Sequence, residues 1–116
     1  MNKEEIREYC IAREGATESF PFNDTALVFK VYNKMFAVLD LSEDERGLTV
    51  KCDPELAVEL REWHQEVTPA WHFNKQHWNA ISLKGNIKSE QFREWIDHSY
   101  NLIVSSIPES KRKLKS

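Results

Sequence analysis

The sequence is poor in glycine and cysteine, and it contains no long apolar run. Three glycines in 116 residues leave no glycine-rich loop of the kind that cradles phosphates or dinucleotides. The two cysteines, Cys10 and Cys52, form no C-x-x-C motif, which favours buried, reduced thiols over a zinc ribbon. No stretch approaches about 18 consecutive apolar residues, and the first residues lack the apolar core of a signal peptide. We therefore expect a cytoplasmic protein that has no membrane contact.

The length and composition predict a single globular domain. The chain has 116 residues, of which 41% are hydrophobic and 30% charged, values that are ordinary for a domain with its own core. No internal repeat or low-complexity linker divides it. We expect one domain over residues 1–108, followed by a basic, flexible tail over 109–116, and a monomeric protein.

Charge is distributed unevenly along the chain. The net charge is −3, but residues 1–66 contain 8 basic and 15 acidic residues, whereas residues 67–116 contain 8 basic and 4 acidic ones. The overall acidity argues against a broad, nonspecific affinity for nucleic acid. It still permits one positive face built from the second half of the chain.

Apolar periodicity predicts three helices. Apolar residues recur at three- and four-residue spacing over about residues 3–13, 54–64 and 89–107. Asn2 and Glu5 have the spacing of a capping box before the first helix, and Asp53-Pro54 is a strong start signal for the second. Trp63 and Trp95 fall on apolar helix faces, where we expect them to be core residues.

Four further segments alternate or are wholly apolar, which predicts strands over about residues 26–32, 35–41, 48–52 and 78–83. Asn33-Lys34 has the length of a two-residue hairpin turn, and the acidic link 42–46 should be solvated. The order α-β-β-β-α-β-α predicts an α+β fold. We expect a two-layer sandwich, with helices mainly on one face of an antiparallel sheet.

The segment TPAWHFNKQHWNAISL, residues 68–83, concentrates most of the chemically active side chains. His72 and His77 have the spacing of the histidine half of some zinc motifs, but no paired cysteines accompany them. A cysteine with a histidine and Asn79 would give the residue types of a Cys-His-Asn triad, yet both thiols fall at core-facing positions. We therefore expect no metal, no cofactor and no catalytic residue.

The same segment allows a structural and a binding interpretation. In the structural one, Trp71, Phe73 and Trp78 belong to the core, His77 makes internal hydrogen bonds, and Asn74 caps the short KQH turn. In the binding one, basic side chains interleaved with aromatic rings contact nucleic acid. The side chains assigned to that contact are Lys34, His72, Asn74, Lys75, His77, Lys84 and Lys88.

The segment TPAWHFNKQHW resembles the T-P-x-x-H-x-N-K-x-H-W motif of the MmcQ/YjbR family of small bacterial proteins. GATESFPF, VFKVYNKMFAVLDL, VKCDPELAVELRE and WIDHSYNLIVSSIPES are similar to other parts of that family, so the likeness covers about residues 2–110. Asn33 stands where a glycine is common. The motif positions in this chain are Thr68, Pro69, His72, Asn74, Lys75, His77 and Trp78.

The resemblance implies a CyaY-like two-layer fold and a "double wing" arrangement for binding DNA. We expect a non-enzymatic module for duplex DNA, with a regulatory role, in which hairpin tips around Lys34 and Lys84–Lys88 straddle the backbone. The alternatives are a protein-interaction module of the secretion-chaperone type, which would suit a basic or amphipathic partner, and an enzyme that uses the His/Lys/Asn cluster.

Overall fold

The computed structural model describes residues 1–42 and 47–112, and it contains three α-helices and one six-stranded sheet. The helices are α1 (Lys3–Ile11), α2 (Pro54–Trp63) and α3 (Ser89–Ser105). The strands are β1 (Thr17–Ser19), β2 (Ala26–Val31), β3 (Lys34–Asp40), β4 (Leu48–Lys51), β5 (Val67–Pro69) and β6 (Trp78–Ile81). A 3₁₀ turn follows at Glu109–Lys111. No helix in the described ranges is long and apolar enough to cross a membrane.

The fold class and the element order are confirmed. The sheet order is β1-β2-β3-β4-β6-β5, and every neighbouring pair is antiparallel. The four predicted strands are the central ones, and the two three-residue edge strands, β1 and β5, were not predicted. Residues 43–46 of the predicted link 42–46 lie outside the described residues. So do residues 113–116 of the predicted tail.

The helix starts follow from local hydrogen bonds. The Asn2 carboxamide oxygen accepts from the Glu5 N–H at 2.8 Å, and the Asn2 N–H donates to the Glu5 carboxylate at 2.9 Å, which completes the predicted capping box. The Asp53 carboxylate accepts from the N–H groups of Glu55 and Leu56 at the start of α2. Helix α1 ends at Ile11, two residues before the predicted end at Arg13.

The hairpin between β2 and β3 differs from the prediction by one residue. Tyr32 and Asn33 are the two central residues, with φ values of 53° and 64°. Positive φ at both positions is the geometry of a type I′ turn, which matches the twist of the flanking strands. Lys34 is therefore the first residue of β3 and pairs with Val31.

The core lies between the helices and one face of the sheet. Leu27, Phe29 and Val31 of β2 point into it, and so do Leu48 and Val50 of β4. Because successive side chains on a strand alternate between faces, their neighbours point to the opposite, helix-free face, which we call the open face. One row on this face crosses five strands at Val28, Val38, Thr49, Ala80 and Thr68.

Candidate functional site

Four of the predicted binding residues lie in one loop, residues 70–77, which joins β5 to β6. The Asn74 side-chain oxygen accepts from the Gln76 N–H at 3.0 Å, and the Asn74 carbonyl accepts from the N–H groups of His77 and Trp78. Asn74 therefore caps the KQH turn, as the structural interpretation predicted. The His77 carbonyl accepts from the Cys52 N–H, which ties the loop to the end of β4.

Two residues that sequence reasoning missed anchor this loop to α2. The Arg61 Nε donates to the Asn79 Oδ1 at 2.8 Å, and an Arg61 Nη donates to the Lys75 carbonyl. The Asn79 Nδ2 donates to the Ala57 carbonyl at 3.3 Å, and the Asn79 side chain is fully buried. The only sequence signal for this network was a polar Asn79 at a core-facing strand position, where a buried amide requires partners.

The aromatic residues of the segment separate into a packed pair and an exposed ring. Phe73 and Trp78 are half-buried, with ring centroids 5.4 Å apart. Trp71 is 69% exposed, so its assignment to the core was wrong. The Lys75 ammonium lies 4.3 Å from the centroid of the Trp71 ring, within the range of a cation–π contact. The position of the loop outside the sheet turns the Trp71 side chain to solvent, which residue type alone cannot reveal.

Of the two helix tryptophans predicted to be core residues, only Trp95 is buried. Trp63, at the last position of α2, is 66% exposed, so that prediction was wrong. The apolar stripe of α2 faces the core through Ala57 and Leu60. Trp63 is three residues after Leu60, at the last position of the helix, where its side chain is exposed to solvent.

The predicted lysines lie at two opposite ends of the sheet. Strands β3 and β6 both run antiparallel to β4 and are therefore parallel to each other. Lys34 begins β3, and the loop containing Lys75 precedes β6, so these two lysines share one end. Lys84 and Lys88 follow β6 and lie at the other end. The structure does not bring them beside Lys34.

Two further lysines, which were not among the predicted binding residues, lie at the same end of the sheet as Lys34 and Lys75. Lys30 is next to last in β2, and Lys51 is the last residue of β4. Lys51 pairs with Trp78, so its side chain shares the open face with the Trp78 ring. We call the group formed by Lys30, Lys34, Lys51 and Lys75 the lysine end of the sheet.

At the opposite end, the Glu66 carboxylate is bound to the backbone between Lys84 and Lys88. The Glu66 carboxylate accepts from the Asn86 N–H at 2.7 Å, and the Glu66 carbonyl accepts from the Ser82 N–H. The Asn86 N–H lowers the pKa of the Glu66 carboxyl. The segment that contains Lys84 and Lys88 therefore binds a carboxylate of this chain through its backbone.

A cleft of about 770 Å³ opens on the helix-free face. Its floor consists of the small side chains Val38, Thr49 and Ala80. One wall is the segment 20–25, in which the Asn23 side-chain oxygen accepts from the N–H groups of Thr25 and Ala26. The other wall is the start of the 70–77 loop. Further lining residues from the two walls and the strand ends are Phe22, Asp40, Thr68, Trp71, His72 and Phe73.

The chemistry of this cleft does not match the catalytic arrangements considered from the sequence. His72 lines it, but Lys75 and His77 are not among the described lining residues. Burial raises the pKa of the Cys10 thiol to about 12 and that of the Cys52 thiol to about 11, whereas a nucleophilic cysteine needs a lowered pKa. In the ranges 1–42 and 47–112, no three His, Cys, Asp or Glu side chains gather as metal ligands would.

Comparison with known proteins places these features in a family. The YjbR family model matches residues 11–102. A protein of Escherichia coli K12 named "Uncharacterized protein YjbR" is 37% identical over 114 residues, which cover 98% of this chain and 97% of that protein. The "Uncharacterized protein YbdF" of E. coli O157:H7 is 29% identical over 97 residues, covering 81% of this chain and 77% of the other.

Solved structures agree with the fold. The crystal structure of Deinococcus radiodurans protein DR2400, a DUF419 domain, matches with a TM-score of 0.85 and 35% identity over 94% of this chain and 83% of that one. A crystal structure from Pseudomonas syringae matches with a TM-score of 0.75 and 25% identity, over 88% and 98% of the two chains. The chain belongs to the YjbR family.

Proposed function

We propose that this chain is a non-enzymatic DNA-binding module that contacts the phosphate backbone through the lysine end of the sheet and the 70–77 loop. The observation that carries the proposal is the gathering of four lysines, from three neighbouring strands and one loop, in a protein of net charge −3. Lysine neutralises phosphate and releases counterions, which is the main source of sequence-independent affinity for DNA.

The ion pairs of the molecule support this assignment. Within residues 1–42 and 47–112, the side-chain ion pairs join Arg7 to Glu18 and Arg13 to Asp97. The first joins α1 to β1 and the second joins the segment after α1 to α3, so both lie on the helix side of the sheet. They therefore leave the positive charge of the lysine end available to a polyanion.

The anchoring of the 70–77 loop also favours a binding role. Arg61 and Asn79 fix its backbone, so His72 and Lys75 are presented from a constrained segment. A constrained loop loses less conformational entropy when it meets a ligand than a free one does. The Nδ2 group of Asn74 is a further donor for a phosphate at this surface, because its oxygen already caps the turn.

The protein-interaction alternative has less support. Helix α2 exposes two apolar side chains, Val58 and Trp63. They are five residues apart, so they project about 140° from each other around the helix axis and form no single patch. The lysine end, by contrast, brings four positive side chains from neighbouring elements to one end of the sheet.

The proposal is tested by titrating a labelled 20-base-pair duplex at low salt. The Lys34→Ala/Lys75→Ala variant is compared with wild type over a range of salt concentrations. We expect weaker binding and a slope of log K against log salt that is shallower by about 2, because each phosphate contact contributes about 0.9.

The matched control is Lys84→Ala/Lys88→Ala, which removes the same charge from the opposite end of the sheet. We expect this variant to bind with nearly the affinity and salt slope of wild type. Equal losses in the two variants, or no binding by wild type, would overturn the proposal. The double-wing arrangement, in which Lys34 and Lys84–Lys88 act together, requires equal losses and is tested by the same pair.

A further inference from the structure

The open-face cleft has two exposed aromatic rings at its rim. Phe22 is 64% exposed and Trp71 is 69% exposed, and both line the cleft. They stand on opposite walls, the first in the segment 20–25 and the second in the 70–77 loop. Large rings held at the rim of a cavity offer flat apolar surfaces to a planar ligand.

The floor of the cleft leaves room beneath these rings. It is formed by Val38, Thr49 and Ala80, three small side chains in one cross-strand row. The volume of about 770 Å³ is within the range of small-ligand sites, roughly 300–1,000 Å³. The Thr49 hydroxyl adds a hydrogen-bonding group to an otherwise apolar floor.

One charged group in the cleft and one beside it give the cleft a direction. Asp40 lines one part, and its hydrogen bonds within the described residues, from the Ser42 N–H and hydroxyl, both end on Oδ1. Oδ2 is left to accept from a ligand. Lys75, which lies against the Trp71 ring, is on the other side. A ligand with a donor edge at one end and a negative charge at the other fits this polarity.

We propose that the cleft binds a nucleobase unstacked from single-stranded DNA. The base stacks on Trp71, Phe22 covers it from the opposite wall of the cleft, its exocyclic amino group donates to Asp40, and its phosphate lies toward Lys75. This inference rests on the proposed DNA-binding function and adds a ligand class to it. A base within a duplex is stacked on both faces and paired along one edge, so it cannot enter the cleft.

The carboxylate favours a base that carries an exocyclic amino group, as cytosine, adenine and guanine do, over thymine, which has none. Cytosine presents an N4 amino donor that a carboxylate accepts, whereas thymine presents a carbonyl at the equivalent position. Two single strands of equal length and equal backbone charge, dC12 and dT12, therefore separate base recognition from electrostatic attraction. Wild type is expected to bind dC12 more tightly than dT12, and Asp40→Asn is expected to remove that preference.

The stacking residues are tested by measuring dC12 and duplex affinities for Phe22→Ala and Trp71→Ala. Each variant should lose roughly tenfold in affinity for dC12. Phe22 lies outside the proposed duplex-binding surface, so Phe22→Ala should also keep its affinity for the duplex within about twofold. Trp71→Phe retains a ring and should recover most of the loss. Trp63→Ala removes an equally exposed tryptophan from α2 and should change neither affinity. Circular dichroism checks that each variant is folded.

The outcomes distinguish this inference from the proposed function. If wild type binds neither dC12 nor the duplex, both are overturned. If binding depends on Lys34 and Lys75 but not on Phe22 and Trp71, the backbone proposal stands and the base cleft is overturned. Tighter binding of the RNA strand rC12 than of dC12 would overturn DNA as the source of the base.

Discussion

Ser99 shows how one polar side chain can compensate for an irregularity in the sheet. The register between β2 and β3 shifts after Phe29, which leaves Phe36 as an extra residue in β3. The Ser99 hydroxyl, fully buried on α3, donates to the Phe36 carbonyl at 2.6 Å and accepts from the Lys51 N–H at 2.9 Å. It therefore satisfies two backbone groups that the ladder does not.

Replacement of Ser99 by alanine should destabilise the protein by about 1–3 kcal/mol, because a buried donor and a buried acceptor lose their partner. The measurement is urea unfolding followed by circular dichroism. Ser105→Ala, at an exposed position of the same helix, is the control and should change the free energy of unfolding by less than about 0.5 kcal/mol. A Ser99→Ala loss no larger than that of the control would contradict the compensating role.

At the residue scale, periodicity predicted burial well and exposure poorly. The stripe of α3 placed Ser99 among apolar residues, and Phe92, Trp95 and Ile103 are buried as expected. Trp63 and Trp71 were misassigned because the exposure of a large ring depends on where its loop or helix end projects. That position is set by tertiary packing, which a local pattern does not contain.

At the scale of single elements, the 70–77 loop depends on α2 for its shape. Arg61 of α2 is hydrogen-bonded both to the buried Asn79 and to the Lys75 carbonyl. Loss of the guanidinium would leave the Asn79 oxygen and the loop backbone without these bonds. The loop would then be held mainly by its own turns and by its bond to Cys52.

Arg61→Ala should therefore increase the rate of amide hydrogen exchange at Phe73, His77 and Trp78, whose N–H groups form the turns of the loop. We also expect a loss of roughly 1.5–3 kcal/mol in unfolding free energy, the usual range for hydrogen bonds to charged groups. Arg93→Ala, on the exposed side of α3, is the control. Unchanged exchange in the loop after Arg61→Ala would show that α2 does not fix it.

The elements themselves were largely predictable because their signals are local. A capping box, an Asp-Pro start and a 3.6-residue period gave all three helices. The short edge strands β1 and β5 were missed because three residues are too few to show an alternating pattern. The hairpin turn was placed one residue late because a tyrosine, rather than a turn-forming residue, occupies its first central position.

At the scale of the whole molecule, the two thiols report on global unfolding. Cys10 lies on α1 and Cys52 follows β4, and both are buried in the same core. Burial is the largest cause of their raised pKa values, about 12 and about 11. Each neutral thiol favours the folded state fully below pH 9, the ordinary value, and that contribution is lost as pH rises through the folded pKa.

At pH 8 we expect iodoacetamide to modify both thiols more than about a thousandfold more slowly in water than in 8 M urea, since reaction requires unfolding. Mass spectrometry of peptides containing each cysteine gives the two rates. Similar slow rates at Cys10 and Cys52 would indicate one cooperative core. Fast modification of Cys52 alone would contradict this expectation and indicate local opening between β4 and α2.

The charge pattern of the sequence does not show which charged side chains become neighbours on the surface, because that depends on the topology of the sheet. The positive excess of residues 67–116 suggested that Lys75, Lys84 and Lys88 act together, but they are separated by the length of β6. Three of the four lysines at the lysine end, Lys30, Lys34 and Lys51, come from the acidic part of the chain, residues 1–66. Strand direction, which depends on long-range pairing, decides which charges become neighbours.

The edges of the sheet restrict the kind of partner that the molecule can recruit. Strands β1 and β5 are three residues long, and β5 ends at Pro69, which has no N–H to donate. An extended peptide or another copy of the chain would find few main-chain groups with which to prolong the ladder. The edges therefore disfavour recruitment by main-chain pairing, and the side chains above and beside the sheet are the surface on which substitutions can alter contacts without disturbing the ladder.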